Sequence, residues 1–339
     1  MRKFLEIIAA KGSSVSETII LAWELTAEVL LQRINMYFWI RSSPVVVPSN
    51  LAGLVVVITG ATNGIGFYTA RELAFAGAHV VMACRRVDSA RKIVDQWEEE
   101  AEGRKTLNLE VMELDLLSLS SVRQFGTNWT EKKKPLHILI NNAGILLLGE
   151  SWQLSGDGLE KHIQVNHISP ALLTVLLLPF LLMPSSARIV NVNSVAHKWG
   201  SVEPKSWNGN IEEKSFRSMK AYGSSKLVNL MFLKALTRKL TLEGKNSILC
   251  IAVHPGTVAT NLLAQGRMRG IWMMHSSEGA RNVLLAAAGS EIEVNPDGFT
   301  YYNQNGPGRT SSVVDDMEGC RRVWDETMSV LGNGPDFSC

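Results

Sequence analysis

Leu54-Val-Val-Val-Ile-Thr-Gly-Ala-Thr-Asn-Gly-Ile-Gly66 decides the fold. Its first half is a short, continuous, largely β-branched run, the pattern of a parallel strand buried on both faces. A glycine-rich turn follows, and then apolar residues recur at helical spacing through Phe67, Ala70, Leu73 and Ala74. Strand, glycine turn and helix in this order form the unit that seats a pyrophosphate at a helix N-terminus. Gly60 is expected to permit the tight turn, Gly64 to admit close approach of backbone to phosphate, and Gly66 to let helix and strand pack closely. Thr62, Asn63 and Ile65 complete the predicted cofactor turn. The spacing G-x-x-x-G-x-G departs from the G-x-G-x-x-G fingerprint, so the context on either side carries the reading.

Further strand-like runs lie at 78–84, 109–115, 137–141, 188–194 and 247–254, separated by helical patterns. That alternation predicts an α/β fold, a single Rossmann-type doubly wound parallel sheet with helices on both faces and ligands at the strands' carboxyl ends. The polar and glycine residues fall at such ends. After the second run stand Arg85 and Arg86, where an NAD-selective site would place an acid for the ribose 2′-hydroxyl. Two guanidiniums suit a 2′-phosphate and favour NADP(H) over NAD(H), the alternative being two solvated loop arginines. Asp115, followed by Leu116, has two readings: a partner for an adenine amino group, or a cap for the next helix. The fourth run closes on Asn142, Ala143 and Gly144, and the fifth on Ser194. Pro255, Gly256, Val258 and Thr260 form a turn after the sixth, placed to cover a nicotinamide.

Tyr222 and Lys226 stand about one helical turn apart, so they share a face. A phenol titrates near pH ~10, and a fixed ammonium one turn away is expected to lower that value and poise an acid/base for a carbonyl or an alcohol.

The 339 residues carry 34 basic and 32 acidic side chains, with no basic block that would point to nucleic acid. Cys84, Cys250, Cys320 and Cys339 are far apart and make no metal spacing. The chain divides into an N-terminal helix and linker at 1–50, a catalytic domain at 51–332 and a tail at 333–339. Between Thr18 and Ile40, Glu24, Glu28, Gln32 and Asn35 form a narrow polar stripe on an otherwise apolar, aromatic-rich helix. Such a helix can lie in a bilayer interface; packing on the protein's own surface and a dimer contact are the alternatives. The corresponding location is a cytosol-facing membrane surface, of the endoplasmic reticulum or another organelle, with a soluble cytoplasmic protein as the alternative. The run 171–183 is too short to span a bilayer and reads as a core or subunit-contact helix.

Thr59-Gly60-x3-Gly64-x-Gly66, Asn141-Asn-Ala-Gly, Asn166, Ser194, Tyr222-x3-Lys226 and Pro255-Gly occur in one order. In these motifs the chain resembles the short-chain dehydrogenase/reductase family over roughly residues 52–332. Ala-Cys-Arg, Val-Asn-His, Ser-Val-Ala-His and Val-His-Pro-Gly-Thr-Val resemble its retinol-dehydrogenase-like branch, and plant relatives of that branch are also similar. The resemblance implies catalytic roles for Asn166, Ser194, Tyr222 and Lys226, with Lys226 also holding the nicotinamide ribose and Asn166 supporting a water-linked proton path. It implies an NADP(H)-dependent exchange between a small lipophilic alcohol (retinoid-, steroid- or isoprenoid-like) and its carbonyl. Homodimerisation through a helix like 171–183 is also implied. A catalytically silent nucleotide-binding or scaffold protein is the rival reading. Asn193 departs from the branch, which often has serine there, and the 28-residue gap from Ser194 to Tyr222 is long. The extra segment, with His197, Trp199, Trp207 and Phe216, is expected to form a substrate-side loop, with aromatics that simply pack it down as the alternative; 262–275 is a candidate apolar lid, with ordinary core as the equal alternative.

Overall fold

The computed structural model describes residues 50–101, 103, 106–203, 207, 216–258, 274–290, 292, 293, 295, 298–303 and 306–332, together with Leu30. The N-terminal helix, Thr260, Cys339 and all of the expected lid except Met274 and His275 lie outside these residues.

Strands β1 (Val55–Thr59), β2 (His79–Cys84), β3 (Asn108–Glu113), β4 (Ile138–Asn141), β5 (Ala187–Val192), β6 (Ile248–Val253) and β7 (Phe299–Asn303) pair in parallel. A short β8 (Gly306–Pro307) returns antiparallel to β7. The spatial order β3-β2-β1-β4-β5-β6-β7-β8 reverses direction between β1 and β4, where a doubly wound sheet opens its ligand crevice. Helices α1 (Gly64–Phe75), α2 (Val87–Glu100), α3 (Leu119–Lys132), α4 (Ser169–Leu181), α5 (Ser218–Leu242), α6 (Ser276–Ala288) and α7 (Met317–Val330) cover both faces.

The strand sequences are continuously apolar because both faces are covered, yet their side chains still alternate. Val57, Leu139, Ile189 and Cys250 join one core with Phe125 and Trp129 of α3, Leu172 of α4, Phe232 of α5 and Trp324 of α7. Val56, Ile58, Ile140, Val190 and Ile251 join the other with Leu73 of α1, Trp97 of α2 and Val283 of α6. Two expected boundaries shift. β3 ends at Glu113, because Asp115 has already left the ladder to accept the Leu117 N–H in a turn. β5 ends at Val192, which leaves Ser194 free to cap a 3-10 turn at Val195–Trp199.

The segment leading into α4 also differs from expectation. The chain is helical from Lys161, through one turn (Lys161–Ile163) and a π-turn (Gln164–Ile168), into α4. Lys161–Leu181 is long and apolar enough to cross a membrane, but 89% of its apolar window is buried inside the protein. In α4 itself only Leu176 and Pro179 escape full burial. Of the two readings of this helix, its burial within the chain supports the core helix. α7, unforeseen in the sequence, lies along α5, with Trp324 stacked on Phe232 at 4.9 Å.

His167 sits in the π-turn, fully buried between the rings of Trp207 and Phe232. The Thr327 hydroxyl donates to the Val323 carbonyl, so it accepts from His167 Nε2–H at 2.9 Å. Burial without a charged partner pushes the imidazole down to about 3. The folded protein thus holds His167 neutral, and its contribution to stability is complete above the unfolded value near ~6.5 and is lost as pH falls toward about 3. Lowering the pH from about 7 to about 5 should lower the urea midpoint. His167→Phe should flatten that slope without abolishing it, since burial also lowers His79 and His137. An unchanged slope in the variant would rule out this coupling.

Candidate active site

The turn after β1 is shaped by glycine where a side chain would not fit. Gly60 and Gly64 adopt φ of +68° and +59°. A Cβ on Gly66 would stand 2.5 Å from the Gly60 carbonyl oxygen and 2.4 Å from Asn142 Nδ2. Gly66 thus lets helix α1 close on the loop and on the Asn142 side chain. The Asn142 amide donates to the Thr59 and Gly60 carbonyls at 2.8 and 3.3 Å. The Thr59 hydroxyl in turn accepts the Asn142 and Ala143 N–H groups at 3.0 and 2.9 Å. Asn63 caps α1 without a side-chain hydrogen bond, so that helix end is not closed by its own cap. Ile65 is buried; it and Val258 both pack against Gly279 of α6, which brings the turn after β6 near the start of α1.

Arg85 and Arg86 are exposed at the carboxyl end of β2 and make no ion pair among the described residues. Asp115 spends one carboxylate oxygen on the Leu117 N–H, and α3 takes its cap from Ser118. Leu116 directs its side chain into the core, and its carbonyl accepts the Ser169 hydroxyl at 2.7 Å. Pro255 and Gly256 are buried beyond β6. A glycine cradle at a helix N-terminus with two exposed guanidiniums at the neighbouring strand end suits a dinucleotide.

Asn166, Ser194, Tyr222 and Lys226 converge beside this cradle. Tyr222 and Lys226 are both buried, at 5% exposure each. The Ser194 side chain stands near enough to the Tyr222 phenol to favour its ionised form slightly, and Lys226 Nζ lies 5.8 Å from the Tyr222 ring centre. Lys226 Nζ donates to the Val192 carbonyl at 3.0 Å. The Asn166 side chain grips Ile145, accepting its N–H at 2.8 Å and donating to its carbonyl at 3.0 Å, and also donates to the Ser225 hydroxyl at 2.9 Å. A Cβ on Gly144 would stand 3.0 Å from Asn166 Oδ1 and 3.4 Å from Lys226 Nζ, so glycine leaves that space open.

The electrostatics correct the sequence expectation. Burial pushes the Tyr222 phenol up to about 12, with the Ser194 side chain a smaller opposing effect. Burial likewise brings Lys226 down to about 8. Desolvation penalises both charged forms, and the amine is turned toward a backbone carbonyl. At neutral pH the phenol keeps its proton.

Two contacts that the sequence did not reveal bring Ser194 to Tyr222. A Cβ on Gly223 would meet the Ala196 carbonyl oxygen at 2.5 Å, and one on Gly200 would meet the Gly223 carbonyl oxygen at 2.5 Å. This backbone contact seats the turn carrying Ser194 on the second turn of α5; its sequence signals are only the two glycines, Gly200 and Gly223. His197 locks the same turn, its Nδ1 paired with the Ser194 carbonyl at 2.7 Å and its Nε2 accepting the Ser311 N–H at 3.1 Å. The expected substrate-side loop is split by the structure. His197 and Trp207 are packed in the interior, whereas half-buried Trp199 packs with Leu148 and Met219 against Leu146, Ala196 and Tyr222. Met274 is core, bridged to Val258.

The short chain dehydrogenase family model matches residues 54–269. A protein from Arabidopsis thaliana described as dehydrogenase/reductase SDR family member FEY is 40% identical over 323 residues, covering 90% of this chain and 85% of that one. Retinol dehydrogenase 11 from Homo sapiens is 35% identical over 289 residues, covering 83% and 87%. A crystal structure of a Mycobacterium paratuberculosis protein superposes with a TM-score of 0.67 at 34% identity, covering 83% of this chain and 94% of that one.

Gly66→Ala should weaken binding of the reduced nicotinamide dinucleotide by about tenfold or more, since a methyl forced against backbone costs about 1–3 kcal/mol. A fluorescence titration checks this, and unchanged affinity would contradict the role given to the close contact.

Proposed function

Because the chain belongs to the short-chain dehydrogenase/reductase family and is retinol-dehydrogenase-like, we propose that this alcohol–carbonyl oxidoreductase uses NADP(H), acts on a lipophilic substrate and employs Tyr222 as its acid/base. The convergence of Ser194, Tyr222 and Lys226 carries the reading, because the Gly200–Gly223 contact seats the Ser194 turn on the helix that bears the other two, beside the glycine that keeps space open at Lys226 Nζ. When bound, the nicotinamide supplies or accepts the hydride. In reduction, Tyr222 releases its proton to the oxygen that gains charge, and Ser194 donates a hydrogen bond to the same oxygen. Lys226 stabilises the phenolate left behind and holds the nicotinamide ribose. Asn166 supports a water-linked route that returns a proton through Lys226. Gly60, Thr62, Asn63, Gly64, Ile65 and Gly66 form the pyrophosphate turn, and Asp115 and the backbone of Leu116, whose side chain is core, border the adenosine. Asn142 to Gly144 and Pro255, Gly256 and Val258 border the nicotinamide side.

The preference for NADP(H) is supported by Arg85 and Arg86, exposed where a 2′-phosphate would lie. A lipophilic substrate is supported by the apolar wall of Leu146, Leu148, Trp199 and Met219 beside the Tyr222 ring. A helix with one narrow polar stripe supports residues 1–50 as an interfacial anchor on a cytosol-facing membrane. Deleting them should move the enzyme from the membrane pellet to the supernatant; continued pelleting of the truncated chain would refute the anchor.

A kinetic panel of lipophilic aldehydes and ketones tests the chemistry. NADPH should be preferred to NADH, and Arg85→Asp should narrow that preference by about tenfold or more, the size of a lost charge-assisted hydrogen bond. Tyr222→Phe should lower kcat by about 10²–10⁴-fold. Reduction should decline as Lys226 discharges above about 8. Turnover undiminished by Tyr222→Phe would defeat the proposal.

A further inference from the structure

Asn193 lies just beyond β5, next to Ser194, and is 3% exposed. Its Oδ1 accepts the Ser194 N–H at 2.8 Å. Its Nδ2 donates to the Lys226 carbonyl at 3.0 Å and to Asn229 Oδ1 at 3.4 Å. One residue earlier, the Val192 carbonyl accepts Lys226 Nζ at 3.0 Å. The end of the strand and the start of the helix are therefore tied in both directions. A lysine side chain reaches strand backbone, and an asparagine side chain reaches helix backbone at that same lysine.

The tie extends through Asn229. That side chain accepts from Asn191 Nδ2 at 3.1 Å and donates to the Asn166 carbonyl at 3.1 Å. Ser194 and Lys226 thus touch Asn193 directly, Asn166 is reached through Asn229, and Tyr222 is reached through the Gly200–Gly223 contact that seats the Ser194 turn on its helix. Both amide hydrogens of Asn193 are committed and the group is buried, so it acts through its neighbours and has no reach to a substrate. We propose that Asn193 is a positioning residue for the reaction: its amide fixes the Ser194 hydroxyl against the Tyr222 phenol by clamping the end of β5 to α5. An amide suits this place because it supplies an acceptor and two donors. Serine, with a single donor and a shorter reach, cannot make the same set. Aspartate keeps the acceptor and loses both donors, presenting an oxygen to the Lys226 carbonyl.

The inference rests on the oxidoreductase reading, and its test separates the two. Wild-type, Asn193→Ser and Asn193→Asp full-length chains are compared with NADPH and the best carbonyl of the panel. Asn193→Asp should lower kcat by about tenfold to a hundredfold, as misplacement of reacting groups does, with KM for NADPH held within about twofold. Asn193→Ser should fall between it and wild type. Hydrogen exchange at the Ser194 amide should accelerate in an Asn193→Ala chain, which loses the acceptor that aspartate keeps. A role in stability alone would lower the melting temperature and leave kcat per folded molecule unchanged. Such a kcat, or unchanged exchange at Ser194, overturns the clamp. Absence of turnover by the wild-type chain on every carbonyl counts against the oxidoreductase reading instead, and the exchange measurement then decides the clamp by itself.

Discussion

Lys226 donates to the Val192 carbonyl at 3.0 Å, and the rest of the site depends on that buried bond. It pins α5 to the carboxyl end of β5 and fixes where Tyr222, about one turn earlier, presents its phenol. The Gly200–Gly223 backbone contact brings the Ser194 turn to the same place, and any side chain at either glycine would hold the two apart. The cost of this arrangement is visible in the ionisation of its members. An ammonium taken out of water drops to about 8, and a phenol taken out of water rises to about 12. The site therefore rests with its proton on the tyrosine, the form required to complete reduction of a carbonyl.

Around this point the fold gathers polar groups that burial would otherwise penalise. Asn141, Asn191, Asn193 and Asn229 are all buried and joined by side-chain amide hydrogen bonds. Each would destabilise the core if left unpaired; together they form a stiff polar spine between the sheet and α5. The apolar layers on either face of the sheet supply the hydrophobic stabilisation, and the spine supplies the geometry. The π-turn at Gln164–Ile168 belongs to the same design, because there the Asn166 carbonyl is reached by Asn229 while the Asn166 side chain holds Ile145.

The central strands could be read from sequence because β-branched runs covered on both faces leave an unbroken apolar trace. The same rule hid β7: Phe299-Thr-Tyr-Tyr-Asn is short and mixed, and its pairing with β6 comes from tertiary context. Helix α7 was hidden too, since its buried Val323 and Trp324 carry no signal of which helix they will meet. Of the site, residue identities and strand-end positions were readable, whereas environments were not. Tyr-x-x-x-Lys suggested an acidified phenol because spacing shows proximity but not desolvation. Asn193 stood out only as a departure, since its two-sided bonding exists only once β5 and α5 are packed. Leu116 was placed at the cofactor from its strand-end position, yet its side chain belongs to the core.

A crystal structure of the full chain with oxidised cofactor and a lipophilic alcohol bears most directly on the central claim. The Tyr222 and Ser194 hydroxyls should both lie within hydrogen-bond distance of the alcohol oxygen, with its carbon facing nicotinamide C4. A phenol turned away from that oxygen, with Lys226 released from Val192 and no polar group in its place, would contradict the account.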